Sequence, residues 1–574
     1  MRYWGIAAGV ALGAALGLSL GEVGWTLDPG RVQRDLSVAL GPTLYLSRAS
    51  LTLLPRPTLH LTALKWRARD GALTAEAAQA DVTLRIDRLL TGVIAPLGIA
   101  LQGARLSIDA DKAVTAFKAL PQPPIARLVV NGGTVEIAAR RRNWSTRLDI
   151  AAARIDWASG DGPLRATLSG RWRLQPVEAT VEIDAPLAAA RGESSAVRAS
   201  LDAPLAQLRV AGDWSPQGAP DGSLYLGQIS ALIPSLARFG RWLGESPAPG
   251  PAPAGLELQA KVSADLKQLK LTDAVLALGG QSFEGALDVL KTESAVSVSG
   301  TLAADALDLE PLIGPPPPLI DSAGGWSKEP ALPRPSDRVD LDLRVSATRA
   351  VWRGHALENA AAAVSQRDGR FSIKLLEAEF ARGSLSGEMS VQATPGGCES
   401  RFSLALDDAD LGALLGSFGE RNFEGEGALR ASFKARGRSP ADIVASADGE
   451  GSLEIADGAL RRLNFEEALR RGQRRLIDVA RDMAAGATRF GAAHGRLEIS
   501  NGEARFVDAT TQGPGVALSL TGAIDLAARA WRARVVARQS SEDGQPTPDG
   551  AHLEFTLYGP WTGPVFVPVL SPAD

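Results

Sequence analysis

The residues best suited to metal binding or nucleophilic catalysis in this chain are four histidines and one cysteine. His60, His355, His494 and His552 stand far from one another and from Cys398. A zinc site needs several such ligands at short, fixed spacing, so no local motif supports one. Each histidine reads as a surface or hydrogen-bonded residue. Cys398 follows Pro395-Gly396-Gly397 in a loop-like stretch; a reactive thiolate needs a basic neighbour, and none is identifiable. Acidic pairs occur twice, in Ala304-Asp305-Ala306-Leu307-Asp308 and Asp407-Asp408-Ala409-Asp410. Paired acids could act as general acid and base. Here each pair sits between a strand pattern and a short aliphatic helix pattern. Asp308 and Asp410 therefore read as helix N-caps, whose carboxylates accept from free first-turn amides. Gly425-Glu426-Gly427 and Gly449-Glu450-Gly451 begin like phosphate-binding loops. No third glycine follows at the right place, and an acid between the glycines repels phosphate, so they read as turn or bulge glycines. No nucleophile elbow or nucleotide-binding loop is present. The chain is not expected to be an enzyme, and no cofactor or metal is expected.

The elements around these residues are mostly strands. In residues 449–526, Leu453 and Ile455 alternate with polar residues, then Asp457-Gly458 signals a turn. A charged helix is expected over residues 461–484. Leu497 and Ile499 alternate, Asn501-Gly502 signals a tight turn, and Ala504 and Phe506 alternate back. Val516, Leu518, Leu520, Gly522, Ile524 and Leu526 continue at period two. Alternation marks strands with one apolar face, and Asn-Gly or Asp-Gly favours hairpin turns. Similar strands recur from residue 44 onward. Val129-Val130, Asn131-Gly132-Gly133, Val135 and Ile137 give another hairpin signal. Asp28 and Pro29 open a short helix over about residues 31–40. Residues 226–243 have helical spacing around Pro234, which suits an amphipathic helix packed on the sheet or one lying at a membrane surface.

The chain has 574 residues, enough for several cores, with 60 glycines and 36 prolines to make its many turns. Its formal net charge of −4 provides no basic field for nucleic acid. Arginine clusters at 140–142 and 470–475 suit a solvated surface, or contact with phosphate or lipid headgroups. One cysteine allows no intramolecular disulfide. Residues 3–21 form an apolar run near the minimum length for a membrane span. An uncleaved anchor, a cleaved signal peptide and a buried soluble helix are the competing readings, and the anchor is favoured over the signal peptide because no small-x-small cleavage site is convincing.

Several motifs then occur in a telling order. Gly449, Gly451, Leu453, Ile455, Asp457, Gly458, Ala459 and Leu460 are followed by Leu497, Ile499, Asn501, Gly502, Gly522, Ile524, Asp525 and Leu526. The chain closes with Tyr558-Gly559-Pro560-Trp561, Pro564 and Pro568, and near its start has Leu54-Pro55-Arg56-Pro57 and Leu89-Leu90-Thr91-Gly92. In these motifs the chain resembles the AsmA family of bacterial envelope proteins. The resemblance covers roughly the last 140 and the first 110 residues. It implies a mostly β fold: an N-terminal transmembrane helix followed by a long, curved, largely antiparallel β-sheet groove with a few short helices. Residues 1–27 would be the anchor, 28–220 an N-terminal β region, 221–255 a helix and Pro-rich linker, 256–435 a central β region, and 436–574 the C-terminal region. It further implies a single-pass inner-membrane protein with its body in the periplasm, binding or conducting phospholipid in support of outer-membrane assembly. An outer-membrane or periplasmic protein partner is the other expectation, for a structural adaptor whose sheet is closed by its own side chains. Candidate groove residues are Leu453, Ile455, Leu497, Ile499, Phe506, Val516, Leu518, Leu520 and Ile524.

Overall fold

Period-two alternation runs through most of this chain, and strands form where it does. The computed structural model describes residues 25–40, 44–68, 71, 73–91, 93–109, 125–139, 144–157, 162–219, 222–244, 255–292, 295–313, 318–332, 335, 339–352, 354–395, 397–417, 423–472, 486–548, 550–560 and 563–569. Among them are thirty strands and eight short helices, so the chain is mostly β, as expected. It divides into two compact units, Met1–Pro247 with Ala254–Leu276, and Ala248–Pro253 with Ala277–Asp574.

In the first unit, Trp25–Leu27 pairs with Arg48–Thr52, and successive strands from there to Leu256–Ala264 pair with their sequence neighbours. All these pairs are antiparallel except Pro96–Asp109 with Arg127–Ala139, which is parallel. The second unit repeats the scheme from Gln281–Lys291 to Val565–Pro568, again with one parallel pair, Val296–Asp308 with Val339–Trp352. A parallel join must carry the chain back across the strand length. Part of the second return, residues 318–332, is pinned to later turns of its own unit. Trp326 Nε1 donates to Leu526 O at 2.8 Å, and Arg438 Nη2 donates to Leu332 O at 2.7 Å.

Helices close the apolar face at particular places. Pro29–Leu40 is capped by Asp28, whose Oδ2 accepts from Arg31 N at 3.0 Å. Its Val32 and Leu36 pack into a core with Leu44, Leu59, Leu61, Ala80 and Val82. In the second unit, Phe465, Ala468 and Leu469 of Phe465–Gly472 fill a core with Val516, Val535, Phe555 and Leu557.

Five local expectations need correction. Asp457-Gly458 is not a hairpin turn: the strand Asp448–Arg461 runs straight through it, with Asp457 at φ +47° and a bulge opposite Gly425. That strand also occupies Arg461, so the helix begins later, at Phe465; residues 473–485 of the expected helix lie outside the described residues. Asn131-Gly132-Gly133 lies inside the continuous strand Arg127–Ala139. Residues 226–233 belong to the strand Tyr225–Ile233, and the helix is Leu236–Leu243, whose N-cap Ser235 accepts from Arg238 N. Cys398 lies within the strand Gly397–Asp410, not in a loop. The expected anchor lies outside the described residues except for Trp25–Leu27, which is a strand. No helix among the described residues is long and apolar enough to cross a membrane.

Candidate functional site: an apolar sheet face

Directly opposed residues of neighbouring strands point to the same face of a sheet. Following the register from strand to strand therefore traces what each face presents. In the second unit one such row reads Leu287, Gly300, Leu343, Val364, Ile373, Met389, Phe402, Phe433, Gly449, Ile499, Ala504, Ile524, Trp531 and Gly559. The row two residues along reads Gly285, Leu302, Val345, Ala362, Leu375, Gly387, Leu404, Ala431, Gly451, Leu497, Phe506, Gly522, Ala533, Leu557 and Phe566. Neither contains a charged residue. The row between them, on the other face, includes Arg344, Lys374, Glu388, Ser403, Ser432, Glu450, Glu498 and Arg505. The first unit has its own apolar row, from Leu27, Ala49, Leu61, Ala80, Leu101 and Val130 through Ala153, Leu168, Ala179, Leu201, Leu208, Ala231 and Leu258.

These faces are filled at one end and open further along. In the first unit Leu61, Ala80, Leu101 and Val130 are buried in the core that the helix Pro29–Leu40 joins, whereas Leu168, Ala179, Leu201, Leu208, Ala231 and Leu258 are only half-buried. In the second unit Leu343, Val364, Ile373, Met389, Phe402 and Phe433 are half-buried, whereas Ala533 and Leu557 are buried. Phe402 and Phe433 stack on each other, with ring centroids 4.9 Å apart.

The candidate groove residues divide accordingly. Leu453, Leu497, Ile499, Phe506 and Ile524 are half-buried on the apolar face. Ile455 is buried with Leu406, Leu411 and Phe490, where the helix Leu411–Ser417 packs. Val516 and Leu518 are buried, and Leu520 half-buried, in the core around Phe465 and Phe555. Sequence reading missed Trp531, which stacks nearly parallel on Phe506 at 6.0 Å. It also missed the edge-to-face contact of Phe465 with Phe555 at 5.6 Å. Neither pair is close in sequence, so only the strand register could have revealed them.

The motif glycines have distinct physical roles. A Cβ on Gly449 would meet Ser432 O at 2.0 Å, and one on Gly458 would meet Phe490 Cζ at 2.3 Å. Asn501 and Gly502, at φ +48° and +77°, form the two-residue turn between Ala487–Ser500 and Glu503–Gln512, as expected. Gly451 differs: a Cβ there meets nothing closer than 3.6 Å.

The opposite face carries the charge. Glu182 lies between Arg165 and Arg198, and the Arg165 hydrogen bond at 2.8 Å holds its carboxyl below the ordinary carboxylate range. His60 Nδ1 lies 2.7 Å from Asp81 Oδ1, and its Nε2 lies 3.0 Å from Thr52 Oγ1. This hydroxyl–imidazole–carboxylate order resembles a catalytic relay. The imidazole, however, is 44% exposed, and Thr52 Oγ1 also donates to Thr58 O at 3.3 Å. The trio is a cross-strand polar ladder. His494 makes a similar one with Asp508 and Thr510. No group of three or more His, Cys, Asp or Glu side chains could hold a metal among the described residues.

Residues 322–509 match the AsmA family. A stretch of 297 residues is 25% identical to Protein AsmA of Escherichia coli (strain K12), covering 47% of this chain and 46% of that protein. The match thus spans about half the length of that relative. No solved structure matches the chain.

Proposed function

We propose that this chain, an AsmA-family protein by the match in residues 322–509, uses its apolar face to bind or conduct the acyl chains of membrane phospholipid. Family membership points to the bacterial envelope. The finer reading is a periplasmic body held at the inner membrane by residues 3–21, supporting outer-membrane assembly and lipid homeostasis. One observation carries it: the uncharged rows of the second unit cross strand after strand and stay half-exposed through the middle of the sheet. Each methylene removed from water contributes about 0.8 kcal/mol. A bound acyl chain therefore gains on the order of 10 kcal/mol. Fifteen strands at about 4.8 Å give the longer row a path of roughly 65 Å along the sheet. Movement along such a surface needs no reacting group.

The adaptor reading is favoured by a different observation. Around Phe465, Phe555 and Leu557 the apolar face is filled by the protein's own side chains. Organic extraction of the purified full chain, followed by mass spectrometry, separates the two. Phospholipid at one or more molecules per chain is expected. A chain that is folded and free of lipid after purification from membranes would sink the lipid reading and leave the adaptor.

A further inference from the structure

We infer that one turn edge of the first unit, centred on residues 85–91 and 93–97, inserts into the surface of an anionic bilayer. The register places several separate segments at this edge. Trp25 pairs with Leu51, Thr52 with Thr58, Thr58 with Thr83, and Leu84 with Pro96. Leu84 N also donates to Pro57 O at 2.8 Å, which joins the loop at residues 53–57 to the same place.

Neighbouring aliphatic residues here point in opposite senses. Leu53, Leu89 and Ile94 pack against the core, while Leu54, Leu90 and Val93 face solvent. Leu90 is 84% exposed and Ile86 63%. The outward residues therefore do nothing for the fold that their inward neighbours do not already do. Large exposed aliphatics gathered at one sheet edge are costly in water, and such patches mark surfaces that something covers.

The surrounding charge indicates what covers this one. Arg56, Arg85 and Arg88 are exposed around the aliphatics. Arg85 is paired with Asp87 at 3.0 Å. Arg56 and Arg88 have no acidic partner among the described residues. Apolar side chains with unpaired arginines beside them match the acyl boundary and the anionic headgroups of a bilayer. Chain continuity supports the same occupant. The apolar run at residues 3–21 ends four residues before Trp25, which enters the sheet at this edge. The inference does not depend on the apolar face carrying lipid.

The test uses the full chain in a Cys398→Ser background, reconstituted into vesicles of phosphatidylethanolamine and phosphatidylglycerol. Leu90→Cys carries an environment-sensitive fluorophore; Arg209→Cys, on the charged face, is the control. The Leu90 label should shift to the blue, become protected from iodide, and lose most of its emission to nitroxides attached to the acyl chains. The Arg209 label should remain open to iodide. Arg56→Glu with Arg88→Glu, or replacement of phosphatidylglycerol by phosphatidylcholine, should reduce nitroxide quenching severalfold. An iodide-accessible Leu90 label in vesicles overturns the inference. So does a label protected from iodide yet untouched by the nitroxides, which would place protein there instead. Quenching that ignores both charge changes overturns the assignment to anionic lipid.

Discussion

At the scale of single residues, Gly451 offers the cleanest probe of the apolar face. It lies between Ala431 and Leu497 in the longer row. The nearest atom to an added Cβ is Arg430 O at 3.6 Å, an ordinary contact, and Gly451 is not among the positive-φ glycines. A large side chain should therefore rise from the sheet without distorting it. Gly451→Trp is expected to fold with stability within about 1 kcal/mol of the parent and to co-purify with severalfold less phospholipid. Lipid content unchanged in the folded variant would show that this part of the row holds none. Gly449, two positions away, is the wrong place for the experiment. A Cβ there meets Ser432 O at 2.0 Å and Phe433 Cα at 2.6 Å, so a loss of lipid would only report a damaged strand.

At the scale of elements, the two acidic repeats behave as helix starts. Asp308 Oδ1 accepts from Glu310 N at 3.1 Å, and Asp410 Oδ1 accepts from Ala413 N at 2.9 Å. Asp410 also pairs with Arg382 at 2.8 Å, and its helix Leu411–Ser417 covers Leu406 and Phe490. Asp308 starts only the four-residue helix Glu310–Ile313. Asp410→Ala should therefore cost about 1–2 kcal/mol, and Asp308→Ala about 0.5–1 kcal/mol, read as shifts in denaturant midpoint. Equal costs would mean that the helix over Phe490 adds nothing beyond its cap. These caps were legible because a carboxylate just before an aliphatic run has few other uses. The Asn501-Gly502 turn was legible for a similar reason. Asp457-Gly458 misled because positive φ serves a bulge as well as a turn, and a local dipeptide cannot say whether the chain reverses. The choice was made by pairing with Phe423–Arg436 on one side and Ala487–Ser500 on the other. That same pairing extends the strand through Arg461, where charge pattern alone suggested helix. Parallel joins were invisible because their partners are separated by long returns. The candidate face was legible as alternation, but which of its residues are roofed by helices was not, since Val516 and Leu497 look alike until Phe465 is placed.

At the scale of the molecule, each unit carries a core of its own. The first gathers Val32, Leu36, Leu59, Leu61 and Val82; the second gathers Phe465, Val516, Val535, Phe555 and Leu557. The two clusters share no residue. Large chains with separate cores often unfold in more than one step. Two transitions are therefore expected in calorimetry of the full chain. Leu61→Ala should lower one of them, at a cost of about 2–5 kcal/mol, and Phe555→Ala the other, at about 3–5 kcal/mol. Mutations without shared partners usually add, so the double variant should show both shifts at their single-variant sizes. Lipid should act on the second unit's transition. A ligand stabilises only what it binds, and in the second unit the half-buried residues lie on the same sheet as the Phe555 core. Added phospholipid should therefore raise the transition that Phe555→Ala lowers. A single transition moved alike by both substitutions would mean that the two cores melt together.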